Sequence, residues 1–141
     1  MRTYYIFQLK YYFYNFYEKK PYMLYKILED IYHSNNKDIV LTYKLFDQIA
    51  LPFKKNNVNE IIRKNHINQN SYEQNLNKHY VSNVFTGEST SLTVYNSHLK
   101  VRTNINYPVF LDDISFVNNI FICDFQNKDY FWLSKMKKCH V

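Results

Sequence analysis

The apolar positions switch between two periods along the chain. From Tyr4 to Lys10 the residues alternate loosely and are rich in aromatic and β-branched types, which suits a half-buried strand. From Lys10 to Lys20 spacing decides the element, because propensity does not separate strand from helix there. At about 100° per residue, Phe16, Phe13, Tyr17 and Tyr14 share one helical arc. Tyr12 widens that arc to roughly 200°, more than a surface helix needs to pack on a core. One face is therefore expected to bury while another leaves large rings near water. Two readings follow: the surplus rings lie under a loop, or they form a protein-docking face, since aromatic anchors carry much of the energy of interfaces.

Lys19-Lys20-Pro21 then interrupts the pattern, and proline suits the first turn of a new helix. The spacing of Leu24, Ile27, Leu28 and Ile31 predicts that helix over Pro21 to His33, followed by a loop at Ser34 to Lys37. Val40, Leu41, Leu45, Phe46 and Ile49 predict a third helix over Asp38 to Ile49, stopped at Leu51-Pro52 because the residue before proline resists helical geometry. Val58, Ile61 and Ile62 support a short helix ending near Asn65, and the polar stretch to Lys78 reads as linker or fraying surface. From His79 the period becomes two. His79 to Phe85 and Thr90 to Thr103 are read as strands around Thr86-Gly87-Glu88, the turn that holds the chain's one glycine. A short helix is expected over Val109 to Val117. Asn119 to Phe125 and Tyr130 to Leu133 form a second hairpin around a four-residue turn, and the tail from about residue 134 reads as loose.

The fold class is therefore α+β: a mostly antiparallel sheet of about five strands (the N-terminal strand plus two hairpins), packed with three to four helices. At 141 residues the chain reads as a single domain, 1–141. It holds no apolar run of about 18 residues, so no membrane partner is expected. Its start lacks a secretory pattern, and its two cysteines, Cys123 and Cys139, match no ligand spacing, so a cytoplasmic setting is expected.

No catalytic constellation emerges, and the chain reads as no enzyme. One glycine rules out the usual phosphate-cradling loops. The five histidines form no i, i+4 pair with a glutamate, so neither a metal nor a cofactor is expected. Cys123 reads as a small buried hydrophobe, Asp112-Asp113 as acids at the start of the short helix, and Asp124 as the group that orients the following turn. The net charge of +6 permits a basic single-stranded nucleic-acid binder as an alternative function. Against it, the densest aromatic stretch carries lysines only at its ends, Lys10, Lys19 and Lys20, whereas a stacking platform wants them interleaved on the face.

Both ends of the chain carry words that resemble one family. Near the start these are Tyr4-Tyr5, Lys10 and the Phe13-x-Asn15-x-Tyr17 spacing; near the end they are Asp124-Phe125, Asn127-Lys128, Tyr130 and Trp132-Leu133. Leu51-Pro52 and the Asn75 to Phe85 region align weakly between them. In these words the chain resembles the sporulation inhibitor of replication family, SirA, whose members are small and non-enzymatic. The resemblance implies an inhibitor that binds the N-terminal domain of the replication initiator DnaA and blocks its assembly at the origin during sporulation, with no direct nucleic-acid contact. It also implies the contact residues: Phe13 and Tyr17, Phe16 beside them though bulkier than the family's residue, and Leu45, apolar where the family's residue is polar.

Overall fold

The computed structural model describes residues 1–34, 44 and 46–136. Leu45, Cys139, His140 and most of the expected third helix lie outside the described residues; 44 and 46–49 are helical. The opening strand β1 (Arg2–Leu9) passes through one residue, Lys10, into helix α1 (Tyr11–Tyr17), and α2 (Pro21–Tyr32) follows with its proline in the first turn. Then come β2 (Ala50–Leu51), α3 (Lys55–His66), β3 (Tyr72–Asn75), β4 (Lys78–Asn83), β5 (Glu88–Val94) and β6 (Leu99–Thr103). A single turn α4 (Phe110–Asp113), β7 (Ile120–Asp124), β8 (Asp129–Trp132) and a 3-10 turn (Leu133–Lys135) complete the described chain.

All strands join one antiparallel sheet in the order β3-β4-β5-β6-β1-β7-β8, with β2 paired to the end of β1. The sheet thus has eight strands where about five are expected, and each addition has a physical cause. Proline does end the helix before it, but Ala50 and Leu51 pair with Leu9 and Gln8, taking over from β6, which stops at Ile6. The supposed linker contains β3, an edge strand with only Tyr72 turned inward, so its other residues read as polar surface. The stretch from Thr90 to Thr103 is two strands, folded back where the Tyr95 N–H meets the His98 carbonyl at 3.0 Å. Gly87 does sit in the β4–β5 turn, at φ 74°. The short helix is confined to one turn, so Asp112 and Asp113 lie in its first and last turn at once.

β1 lies at the centre, hydrogen-bonded to β6 on one side and β7 on the other. Its alternation divides the interior. Tyr4 and Ile6 face a core shared with Val58 and Ile62 of α3, Phe110, Leu92 and Val101. Phe7 and Leu9 face a second core with Leu24, Tyr25 and Leu28 of α2, Phe121 and Trp132. Each such side chain removed from water contributes about 1.5–3 kcal/mol. β7 is buried on both faces, which is why Ile120 to Cys123 is a continuous apolar run rather than an alternating one. The β4–β6 wing is covered only on the α3 side. Its other face, carrying Lys78, Tyr80, Lys100 and Arg102, is open or half-open to water.

Candidate functional site

Helix α1 has seven residues, fewer than an isolated helix needs to persist in water. It has no side-chain cap, no acid in its first turn and no buried residue. Neighbouring elements therefore hold it in place. At its root the Lys10 N–H donates to the Ile49 carbonyl at 2.9 Å, and the Tyr14 N–H to the Lys10 carbonyl at 2.9 Å. Beneath it, Tyr14 meets Trp132 edge-on, with centroids 4.9 Å apart. At its far end the Trp132 Nε1–H donates to the Glu18 carbonyl at 3.1 Å, satisfying a carbonyl that a helix end otherwise leaves unpaired. Lys135 Nζ reaches a Glu18 carboxylate oxygen at 3.4 Å.

On its outward side the helix carries a chain of touching rings. Tyr12 meets Phe13 edge-on at 5.4 Å, Phe13 stacks on Tyr17 at 6.5 Å, and Phe16 meets Tyr17 edge-on at 4.8 Å. Lys20 Nζ closes the row, 5.1 Å from the Phe16 ring centre. Phe13, Tyr14 and Tyr17 are half-buried against the α2-side core, whereas Tyr12 and Phe16 are 73% and 51% exposed. The structure thus brings Phe13, Phe16 and Tyr17 together on one helix, with Phe16 exposed and Phe13 and Tyr17 half-buried. The fourth expected contact, Leu45, lies outside the described residues. Trp132 is the supporting residue that sequence reasoning missed: it stands 114 positions from Glu18, and no local pattern links the two.

The buried polar groups do other work. Glu29 accepts from Lys26 Nζ and the Tyr25 hydroxyl, both at 2.9 Å; these bonds, led by that from Lys26, hold its carboxyl down at about 2. Burial alone would raise Asp124. Two bonds from Asn127 and one from Arg2 outweigh it and keep the carboxylate charged, so Asp124 does orient the β7–β8 turn. His66 and His79 belong to one ring cluster with Tyr72 and Phe110, but their pKa values are shifted in opposite directions. Both His66 nitrogens meet acceptors, Asp113 Oδ2 at 2.6 Å and Gln69 Oε1 at 2.9 Å. The bond to Asp113 raises its pKa against the opposing effect of burial. His79 is pushed down to about 4, chiefly by burial and then by the charge of His66. As a neutral ring it accepts from the Tyr72 hydroxyl at 2.7 Å and donates to Asn59 Oδ1 at 2.7 Å. Asp113 is thus committed to His66 and Asn65 rather than to a helix N-terminus. Burial also pushes the Cys123 thiol well up. Among the described residues no group of three or more His, Cys, Asp or Glu side chains could hold a metal ion, and no helix is long and apolar enough to cross a membrane.

Comparison with protein families matches the chain over residues 2–137 to the family described as "Sporulation inhibitor of replication protein SirA". Comparison with curated proteins returns no match. The match covers nearly the whole chain, including β1, α1 and the Trp132 hairpin that supports it, so the chain belongs to the SirA family of sporulation inhibitors of replication.

Proposed function

We propose that this chain acts without catalysis, by occlusion, docking α1 onto the N-terminal domain of the replication initiator DnaA and so preventing the initiator's assembly at the origin. The observation that carries this reading is the outward ring row Tyr12–Phe13–Tyr17–Phe16 on a helix with no buried residue. A helix with no fully buried residue, yet fixed at both ends and from below, presents rigid aromatic anchors at little cost in conformational entropy. Phe13 and Tyr17 lie one turn apart and enter an apolar groove together, with Phe16 beside them. Leu45 is a further proposed contact. Lys10, Lys19 and Lys20 form a basic rim that favours an acidic border on the partner.

The test is titration of the purified protein against the DnaA N-terminal domain. Phe13→Ala and Tyr17→Ala should each weaken binding by about 2–4 kcal/mol, roughly 30- to 1,000-fold, with the circular-dichroism spectrum unchanged. Wild-type affinity in both folded variants would remove α1 from the interface.

A further inference from the structure

The interleaving of rings and cations that a nucleic-acid platform needs is missing from the aromatic helix but present on the open face of the β4–β6 wing. Strand pairing creates it from residues far apart in sequence. One register row runs Tyr5–Lys100–Thr93–Lys78, and the next runs Arg102–Ser91–Tyr80–Glu73. Lys100 Nζ lies 5.7 Å from the Tyr5 ring centre, and Lys78 Nζ lies 5.2 Å from that of Tyr80. Across the sheet Lys100 and Lys78 are about 10 Å apart, and Arg102 is about 7 Å along the strand from Lys100.

A solvated sheet face ordinarily mixes the two signs of charge. Here the rows hold three cations and one carboxylate, Glu73, at the sheet edge, and no ion pair joins these cations to an acid among the described residues. Where the wing meets α2, a cleft of about 210 Å³ has Lys100 and Arg102 on its wall beside Tyr32 and Gln126, with no acidic residue lining it. Cations over ring faces beside an acid-free cleft fit a chain of alternating phosphates and flat bases. They fit an acidic protein segment less well, since it has no use for the rings.

We infer that this face binds single-stranded nucleic acid, with phosphates held at Lys100, Arg102 and Lys78 and a base stacked on Tyr80. It is a second surface, separate from α1, and lets the inhibitor hold an exposed strand while its helix engages a protein.

The test is fluorescence anisotropy of a labelled oligothymidine with the full chain alone. Binding should appear at low salt and weaken with a log–log slope of about −2, or about −0.7 for each of three phosphates. The double variant Lys100→Ser/Arg102→Ser should cut that slope to about −0.7. Tyr80→Ala should weaken binding on the order of ten-fold while keeping the wild-type slope. Phe13→Ala should bind the oligonucleotide as wild type does, so this assay stands or falls independently of initiator docking. No binding at low salt, an unchanged slope in the folded double variant, or equal competition by polyglutamate would each overturn the inference.

Discussion

Tyr14 and Trp132 meet edge-on at 4.9 Å, and that contact joins the first helix to the last strand of the sheet. The same indole donates to the Glu18 carbonyl, so one side chain supports α1 both under its middle and at its end. The ring row on the outer face is therefore only as well placed as Trp132 allows.

Trp132→Phe keeps a ring in the second core but removes the Nε1–H donor. It should lower stability by about 0.5–1.5 kcal/mol plus a packing term. It should also weaken partner binding through a larger entropic cost of fixing α1. Denaturant titration gives the first quantity and calorimetry of the complex the second. Wild-type affinity in Trp132→Phe would show that α1 keeps its position without the indole N–H.

Phe16 and Tyr14 offer a contrast on one helix. Phe16 is about half exposed, so Phe16→Ala should change unfolding free energy by no more than about 0.5 kcal/mol. If it is an anchor, the same variant should still lose affinity for the partner. Tyr14→Ala should do the reverse first, lowering the thermal midpoint through the lost Trp132 contact. Parallel thermal melts and binding titrations separate the two effects.

The two buried histidines should give stability opposite slopes with pH. His79 is held near 4 when folded, below its ordinary 6.5, so the unfolded chain binds more protons between those values and stability falls as pH drops through that window. His66 is raised by Asp113, so its contribution is fully present below 6.5 and is lost as pH rises through the folded value. Denaturation across this range should show His79→Gln flattening the acid limb and His66→Gln flattening the alkaline one. If both variants keep the wild-type profile, other groups set the pH dependence.

Gly87 takes φ 74° with nothing within 4 Å of where a Cβ would stand. Gly87→Ala should therefore destabilise without any clash, by about 1–2 kcal/mol from the left-handed backbone alone. A smaller loss by urea titration would mean that the turn relaxes, a result that the Asn83 side chain opposes by binding the Phe85 and Thr86 N–H groups.

What could be read from the sequence depended on how local each signal was. The β1–α1 junction, the Gly87 turn and the β7–β8 hairpin announce themselves through spacing and turn residues within a few positions. β3 did not, because an edge strand with one inward residue, Tyr72, has almost no alternation to detect. Thr90 to Thr103 carries an irregularity in its alternation between Val94 and Leu99, but no glycine or proline marks the fold-back there. Within the site, the rings of α1 were legible from a 3.6-residue period, but the support from Trp132 was not. The open basic face was invisible for the same reason: its rows exist only once four strands have paired.

The position of β1 has a consequence for how the molecule is made. Ile6 is synthesised long before Leu99 and Ile122, the residues it pairs with. A topology dominated by such distant pairings closes late. Until β7 and Trp132 have been added, the tyrosine-rich segment lacks one flanking strand and its floor, which leaves its rings open to self-association. A chain cut short before the β7–β8 hairpin lacks both a partner strand of β1 and the indole beneath α1, and should be recovered as a protease-sensitive species.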